Sequence, residues 1–258
     1  MAQVGELFEI LEETPDWLAI NKSGDLVCHP TKSGPLSSLI GRLRLYFDGQ
    51  PEVRPSFVNR LDRETSGVVL IAKNSQTHAA MQRAFEGGRV EKVYLAVVHG
   101  VPSQTEGEID LPLAREPDAE VVIRQAVQSD GAPSITRWKL LRSSARASVQ
   151  AGAFSVFEVR PQTGRLHQIR VHLAAMGHPI VGDKLYGPDP RLYLEFIQTG
   201  WTPALEKQLL VSRQMLHALT LRIWNANGEE SGPWQAPIPS DMRAFLQNSG
   251  LDPVFPLG

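Results

Sequence analysis

A cluster of charged residues stands directly ahead of an apolar run, and this pairing restricts the local fold more strongly than any other segment. Residues 59–67 read Asn-Arg-Leu-Asp-Arg-Glu-Thr-Ser-Gly, and residues 68–72 are all apolar. A short apolar run that follows a turn-forming glycine predicts a buried strand. The sequence therefore predicts such a strand with the carboxylate of Asp62 in the loop before it, between the guanidinium groups of Arg60 and Arg63.

The charge cluster has two interpretations. An acid at a junction between loop and strand is held rigidly by the strand and stays accessible from the loop, which suits a catalytic group. Charged side chains in a turn are also common as solvated ion pairs, which contribute little energy. The local pattern around Asp62 leaves both interpretations open.

Length and composition fit one large domain. The chain has 258 residues, of which 42% are hydrophobic, enough for a sizeable core. We therefore expect residues 1–258 to form a single domain. Its apolar runs are too short to span a bilayer, which predicts no membrane association. The single cysteine, Cys28, excludes an internal disulfide and a multi-cysteine metal site, and a cytoplasmic location fits.

The distribution of charge is more informative than its total. The formal net charge is −2 and the pI is about 6.4, which argues mildly against nucleic-acid binding through bulk charge. Residues 54–92 nevertheless hold seven basic and four acidic side chains, and residues 160–170 hold three arginines and no acid. The sequence therefore allows a local phosphate-binding face.

The periodicity of apolar residues predicts more strands than helices. Strands are predicted at 7–11, 17–21, 67–73, 92–98, 135–141, 148–151, 154–160 and 216–223, with shorter extended pieces at 108–111, 121–124 and 234–239. Helices are predicted at 36–47, from the N-cap Asn74 to Gly87, from Leu166 to Met176, at 202–211 and at 241–247. Because strands and helices do not alternate regularly, the predicted class is α+β, with a mixed, mostly antiparallel central sheet flanked by helices and loops.

The helix predicted after Arg165 places one basic residue beside its apolar stripe. Leu166, Ile169, Leu173 and Met176 form the stripe. Arg170 lies about 40° from Leu166 at 100° per residue. We therefore expect Arg170 to be half-buried at the edge of the core.

Several classes of site are excluded by spacing. There is no phosphate-binding loop and no dinucleotide fingerprint. His167 and His172 are five residues apart, which is a poor spacing for one metal on one helix face. Ser66 precedes a strand, whereas a hydrolase nucleophile follows one. Glu64 is too near Asp62 in sequence for the two acids to flank a substrate as in a glycosidase.

The groups that remain are one aspartate, several arginines and an aromatic hydroxyl. Tyr94 supplies the hydroxyl, on the strand after the helix that follows the Asp62 loop. A carboxylate with such neighbours suits covalent catalysis without a metal or a cofactor.

Three segments resemble motifs of the RluA-type pseudouridine synthases. Residues 60–73 are similar to the family's catalytic signature, residues 92–96 to its second motif and residues 163–174 to its third. Shorter similar segments are 21–24, 177–183 and 216–218. The resemblance runs from about residue 7 to residue 223, and its first and third motifs are highly specific. It implies the pseudouridine synthase catalytic fold and an isomerase that converts uridine to pseudouridine in structured RNA, either transfer or ribosomal, with no metal, cofactor or obligate protein partner.

The resemblance also assigns roles. Asp62 would be the catalytic aspartate, either attacking the flipped-out nucleotide or assisting the uracil to detach and re-attach through C5. Tyr94 would stack on the base and transfer a proton, and Arg170 would pair with Asp62. Arg60 would hold the nucleotide out of its stack, which costs a few kcal/mol.

Further basic residues of the motifs would contact RNA, namely Arg63, Arg165 and Lys73. For Arg165 a solvated position at the start of a helix fits equally well, and for Lys73 a charge at the end of a strand.

Two departures from the family pattern stand out. The first motif usually begins with histidine, where this chain has Asn59, which keeps hydrogen-bonding capacity but cannot titrate. We expect this change to tune activity. The N-terminal S4-type domain of many relatives is expected to be missing, so target choice would rest on the catalytic domain and on insertions at 101–132 and 189–211. An RNA-binding or RNA-folding protein with secondary or lost isomerase activity is the alternative function.

Overall fold

The structure is a computed structural model that describes residues 8–29, 35–144 and 152–251. The chain divides into two compact units. The first unit comprises residues 1–93 and 217–238, and the second comprises residues 94–216 and 239–258. The assignment of residues 1–258 to one catalytic domain stays a prediction.

The regular elements of the described residues are numbered in chain order. The strands are β1 (Glu9–Glu13), β2 (Trp17–Lys22), β3 (Ser56–Phe57), β4 (Ser66–Ala72), β5 (Val90–His99), β6 (Glu106–Asp110), β7 (Leu113–Arg115), β8 (Gln125–Val127), β9 (Ile135–Ser143), β10 (Phe154–Pro161), β11 (Leu216–Trp224) and β12 (Glu230–Gln235). The helices are α1 (Leu39–Tyr46), α2 (Ser75–Glu86), α3 (Gln168–Ala175), α4 (Arg191–Thr199), α5 (Pro203–Leu209) and α6 (Ser240–Asn248), with a 3₁₀ turn at Pro35–Ser37.

Strand β4 is the centre of the sheet in the first unit. It pairs antiparallel with β2, where Leu18 lies opposite Ile71, and parallel with β11, where Ala218 lies opposite Gly67. Strands β1, β3 and β12 add antiparallel to β2, β4 and β11. All residues of β4 are buried, which confirms the strand that the apolar run predicted.

Helix α2 covers one face of this sheet. The side chain of Asn74 caps it by accepting a hydrogen bond from the amide of Thr77 at 2.8 Å, as predicted. Apolar side chains from α2 and from the strands form the core of the first unit: Ala19, Val58, Val68, Leu70, Ala72, Met81, Ala84, Leu221, Ile223, Trp234 and Ala236. Their burial fixes β4, and with it the loop that precedes β4.

Because Gly67 has no side chain, β4 and β11 can approach each other closely enough to pair in parallel. Its φ is +114°, and a Cβ atom at this position would lie 2.1 Å from the carbonyl oxygen of Ala218. Residues other than glycine rarely adopt this backbone conformation. The glycine of the motif is therefore required by the sheet itself.

In the second unit, β10 lies between two antiparallel neighbours. It pairs with β5 on one side and with β9 on the other, and β6 continues the sheet from β9. Strands β7 and β8 form a separate hairpin. Buried side chains from the hairpin, from α3 and from the loop after α3 form a core cluster: Leu113, Val121, Val171, Leu185 and Tyr186.

The predicted class is confirmed: the protein is α+β, with a mixed, mostly antiparallel sheet. Most predicted elements are present with ends shifted by a few residues. The strand predicted at 148–151 and the first residue of the strand predicted at 7–11 lie outside the described residues. Within the described ranges, no helix has the length and apolar character needed to cross a membrane.

The predicted start of α3 at Leu166 is wrong. The helix begins at Gln168, His167 has a positive φ of 55°, and the side chain of Leu166 is 55% exposed. The cause is Gln168, whose Oε1 accepts from the amide of Arg165 at 2.9 Å and from the hydroxyl of Thr163 at 2.7 Å. These bonds hold residues 163–167 in a turn, so Leu166 points away from the stripe.

Two further predictions for the second unit need correction. Residues 121–124 do not form a strand; the hairpin strands are β7 and β8, on either side of that segment. Helix α4 was not predicted, although its apolar residues share one face at helical spacing; it lies in the segment 189–211 that was treated as an insertion. It is stabilised by burial of Leu192 against Leu205 and Leu209.

Candidate active site

Asp62 lies in a turn of the first unit that leads into β4. Its side chain is half-buried, and its carbonyl oxygen accepts a hydrogen bond from the amide of Thr65 at 3.2 Å. The turn ends at the buried residues that begin β4. The position ahead of a buried strand is as predicted, while the catalytic role of Asp62 stays a prediction.

Asn59 attaches the Asp62 loop to the edge of β4. Its Nδ2 donates to the carbonyl of Val68 at 3.1 Å, and its Oδ1 accepts from the amide of Leu70 at 2.8 Å. The amide of Val58 also donates to the carbonyl of Leu70, at 2.9 Å. The side chain of Asn59 therefore extends the strand pairing by presenting one donor and one acceptor, as a peptide group does.

Lys22 holds the same loop from the other side of Asp62. Its side chain is fully buried, and its Nζ donates to the carbonyls of Ser23 at 2.6 Å, Leu26 at 2.8 Å and Arg63 at 3.0 Å. A buried ammonium group is costly unless its donors are satisfied. Here three carbonyl groups receive them, and the third fixes the backbone one residue after Asp62.

The two arginines beside Asp62 are exposed, and their contact with phosphate stays a prediction. A nitrogen of Arg60, Nη1, lies 3.1 Å from Nε2 of His29. Because a guanidinium group only donates, Nε2 is the acceptor. The ring of His29 packs edge-on against Phe57, with centroids 5.6 Å apart. Arg60 thus has a surface neighbour that orients it, and Arg63 contributes its carbonyl to Lys22.

Lys73 is placed differently from these arginines. It is 9% exposed, and its ammonium group donates to a carboxylate oxygen of Glu13 at 2.5 Å. It also lies over the ring of Phe47, 5.4 Å from the centroid. This arrangement favours a charge that stabilises the end of β4; a contact between Lys73 and RNA stays a prediction.

Tyr94 lies on β5 between two buried residues. Val93 is 6% exposed and Leu95 is fully buried, whereas Tyr94 is half-buried. Successive side chains of a strand point to opposite faces. Tyr94 therefore points away from the face that Val93 and Leu95 bury.

Arg170 is fixed in α3 of the second unit by a forked salt bridge. Its Nε donates to Oδ2 of Asp183 at 2.7 Å and its Nη2 to Oδ1 at 2.9 Å. Arg170 is 6% exposed and Asp183 1%, so Arg170 is more deeply buried than predicted. Burial alone raises the pKa of the Asp183 carboxyl, but the charge and hydrogen bonds of Arg170 outweigh it and hold that pKa below its ordinary value.

Tyr186 packs against the same guanidinium group. The Cζ atom of Arg170 lies 4.9 Å from the centroid of its ring. The hydroxyl of Tyr186 accepts from the amide of Gln125 at 2.8 Å and lies 2.8 Å from Nδ1 of His167. Burial raises the pKa of Tyr186 to about 12, so the hydroxyl is protonated at neutral pH.

The other histidines of the motifs serve as hydrogen-bonding groups in the core. His172 lies 2.9 Å from both the hydroxyl of Thr136 and the carbonyl of Leu111, and burial lowers its pKa. His217 lies 2.9 Å from the hydroxyl of Ser66. Among the described residues, no three His, Cys, Asp or Glu side chains are grouped so that they could hold a metal.

Arg165 is exposed in the turn before α3. Its amide donates to Gln168, and its Nε donates to the carbonyl of Pro133 at 3.3 Å. It lies just ahead of the helix and is exposed, so the interpretation as a solvated arginine near a helix start stays open. A phosphate contact by Arg165 stays a prediction.

The predicted residues fall in both units. Asp62, Arg60 and Arg63 share one turn of the first unit, whereas Tyr94 and Arg170 belong to the second. The pairing of Arg170 with Asp62, and a joint action with Tyr94 on one nucleotide, stay predictions.

Sequence reasoning missed the side chains that hold the predicted ones. Asp183 lies in a loop that was noted only for its similarity to the family, and Lys22 in another such segment. The sequence holds no local signal for the buried carboxylate of Asp183, which stands between Gly182 and Lys184 as it would in a surface turn.

Comparisons with known proteins agree with these motifs. The model of the RNA pseudouridylate synthase family matches residues 16–175, a range that includes Asp62, Tyr94 and Arg170. A protein of Chloroflexus aurantiacus, named an uncharacterized RNA pseudouridine synthase, is 36% identical over 233 residues; these cover 88% of this chain and 65% of that protein. Ribosomal large subunit pseudouridine synthase D of Haemophilus ducreyi is 33% identical over 240 residues, covering 92% of this chain and 69% of that one.

Two solved structures share the fold. Human RNA pseudouridylate synthase domain containing 1 is 25% identical with a TM-score of 0.67, covering 98% of this chain and all of that one. Human RNA pseudouridylate synthase domain containing 4 has a TM-score of 0.72 at 23% identity, covering 95% of this chain and 94% of that one. At 23% identity, the similarity to this second human protein shows a shared fold and nothing further.

Proposed function

The chain belongs to the RNA pseudouridylate synthase family, and from this membership we propose that it isomerises uridine in a structured ribosomal or transfer RNA with Asp62 as its catalytic aspartate. It is an RNA pseudouridine synthase by its motifs, its relatives and its fold. The observation that carries the assignment of Asp62 is its setting. The acid stands in a turn that Asn59 and Lys22 fasten on both sides, in the motif that the family model matches.

The reaction breaks the bond between C1′ and N1 of uracil and forms a bond between C1′ and C5. The hydrogen on C5 leaves as a proton, and N1 gains one. Asp62 acts at the sugar, either as a nucleophile or by stabilising charge while the base rotates. Tyr94, half-buried on β5, stacks on the base and takes part in the proton transfer.

The exposed arginines supply the contacts that hold the RNA. Arg60 and Arg63 flank Asp62, and Arg165 is exposed in the turn before α3. Side chains of this kind bind phosphate through forked hydrogen bonds. Arg60 offsets part of the few kcal/mol needed to take a nucleotide out of its stack.

Ribosomal RNA of the large subunit is the favoured target. The support is the name of the Haemophilus ducreyi relative, of which this chain covers 69% at 33% identity. An enzyme acting on ribosomal RNA works where ribosomes are made, so we place it in the cytoplasm.

Release of tritium from RNA labelled at C5 of uridine tests both the reaction and the target. We expect the purified protein to release tritium from large-subunit ribosomal RNA and not from a mixture of transfer RNAs. Release from transfer RNA alone would contradict the choice of target. No release from either RNA, by protein that is folded, would contradict the proposed function. Mapping pseudouridines in a strain that lacks the gene then identifies the uridine.

A further inference from the structure

We propose that Asp183 is a positioning residue that fixes the guanidinium group of Arg170 in the orientation needed for the isomerisation, and that Tyr186 completes this support. The inference rests on the proposed function, because it takes Arg170 to be part of the reacting site. It concerns residues 167–187 of the second unit, for which neither the family motifs nor the names of the relatives give a role to Asp183.

The fork between Arg170 and Asp183 fixes both the place and the rotation of the guanidinium group. The bonds at 2.7 and 2.9 Å bind its Nε–Nη2 edge, so any further acceptor meets Arg170 at the Nη1 edge. A single contact would leave the group free to rotate about its last bond, whereas two parallel bonds do not. Asp183 therefore decides the direction in which Arg170 presents its remaining donors.

Asp183 is itself held by the backbone. Its Oδ1 accepts from the amides of Leu185 at 2.9 Å and Tyr186 at 3.1 Å, and its carbonyl accepts from the amide of Gly187 at 3.0 Å. The carboxylate thus receives hydrogen bonds from both the arginine and the loop. The loop is a rigid support whose hydrogen bonds orient the carboxylate.

Close approach of backbone on both sides of this loop makes it rigid. A Cβ atom at Gly182, whose φ is +78°, would lie 2.2 Å from the carbonyl oxygen of Arg213. A Cβ atom at Gly187 would lie 2.2 Å from the carbonyl oxygen of Asp183. Glycine is therefore required at both ends of the segment that carries Asp183.

Tyr186 supports the face of the guanidinium group that the carboxylate does not touch. Its ring lies against Arg170 at 4.9 Å, and its hydroxyl is bonded to the amide of Gln125 and to His167. The planar group is held at one edge and against one face. His167, with its positive φ, is the N-cap residue of the helix that carries Arg170, so the hydroxyl of Tyr186 also contacts the start of α3.

A purely stabilising role explains this arrangement less well. Removing two charges from water costs several kcal/mol, and apolar residues of similar volume often stabilise a core as well or better. A buried fork does define orientation, which matters for catalysis because small misplacements of a reacting group cost about 10²-fold in rate. A stabilising role would affect the free energy of unfolding, whereas a positioning role affects the rate of the chemical step.

The test compares Asp183→Asn with Asp241→Asn in single-turnover tritium release at saturating RNA. Asp241 forms the same fork with Arg213, at 2.5 and 2.9 Å, in the same unit; because its side chain is 47% exposed whereas that of Asp183 is fully buried, this variant controls for the lost Arg–Asp pair and not for burial. We expect Asp183→Asn to slow the single-turnover rate by about 10²-fold with an unchanged Kd for RNA. Asp241→Asn is expected to keep the wild-type rate. A wild-type rate in folded Asp183→Asn would overturn the proposal.

A double-mutant cycle with Arg170→Lys separates this proposal from the one on which it rests. Lysine keeps the charge but loses the fork. If Asp183 acts through Arg170, the double variant is no slower than the slower single variant; rate losses that multiply would overturn the proposal. A wild-type rate in Arg170→Lys would instead contradict the role of Arg170 in the proposed function.

Tyr186→Phe decides the matter if Asp183→Asn does not fold. It keeps the ring and removes only the bonds of the hydroxyl to Gln125 and His167. We expect a rate about tenfold lower at unchanged Kd, from a loss of about 1.4 kcal/mol in alignment. An unchanged rate in this variant would then count against the proposal.

Discussion

At the scale of single residues, the side chains around Asp62 do more to explain the site than Asp62 itself. The motif suggested that asparagine in place of the usual histidine would tune activity. In the structure, the amide of Asn59 donates to Val68 and accepts from Leu70, so it fastens the loop to β4 as a peptide group would. Lys22 fastens the loop at Arg63. The acid is thus held from both sides by residues that do not react.

Asn59→Ala tests this role. We expect the free energy of unfolding to fall by about 1–3 kcal/mol, because the variant removes the side-chain partner of two backbone groups in the buried strand β4. Chemical denaturation measures the change, with Asn227→Ala, at an exposed position, as the control. A loss no larger than that of the control would show that the amide does not fasten the loop.

At the scale of elements, the predictions succeeded where burial is continuous and failed where polar groups are buried. Strand β4 could be predicted because its run of apolar residues is unbroken. The start of α3 and the full burial of Arg170 could not, because the sequence does not show that Gln168 and Arg170 have buried polar partners. Their partners, such as Thr136 and Asp183, come from other segments. Periodicity detects apolar surface, and it carries no information about which distant group satisfies a polar one.

The same limit applies to the candidate site. The roles of Asp62, Tyr94 and Arg170 followed from local motifs. The contact of Asp183 with Arg170 could not be predicted in this way. The two residues are 13 positions apart, and the loop after α3 brings them together. In an irregular loop, unlike in a helix or a strand, the number of residues between two side chains does not show whether they are in contact.

Gly67→Ala tests the close contact between β4 and β11. We expect a loss of roughly 2–5 kcal/mol in the free energy of unfolding, from the unfavourable backbone conformation and the overlap with Ala218. Gly88→Ala is the matched control: its φ of +67° is also positive, but no atom lies within 4 Å of the added Cβ. It should lose only about 1–2 kcal/mol. Equal losses in both variants would show that the close approach is unimportant.

At the scale of the whole molecule, attraction to RNA must come from a small number of cations. The net charge is −2, so bulk attraction to phosphate is weak. Arg60, Arg63 and Arg165 are exposed, whereas the ammonium group of Lys73 is bound to Glu13. Binding should therefore depend on salt through these individual arginines.

The salt dependence of Kd measures their number. Each lost phosphate contact lowers the slope of log Kd against log salt by about 0.7–0.9. We expect this decrease for Arg60→Ala and an unchanged slope for Lys73→Met. An equal decrease in Lys73→Met would show that Lys73 leaves Glu13 to bind RNA, and an unchanged slope in Arg60→Ala would remove Arg60 from the interface.

The role of Asp62 in the reaction is tested by the single-turnover rate of the variant Asp62→Asn. The control is Glu64→Gln, which removes the other acid of the same turn. We expect no detectable pseudouridine from Asp62→Asn, a loss of more than about 10³-fold in rate at the wild-type Kd for RNA, and full activity from Glu64→Gln. Wild-type turnover by folded Asp62→Asn, or an equal loss in Glu64→Gln, would contradict this role of Asp62.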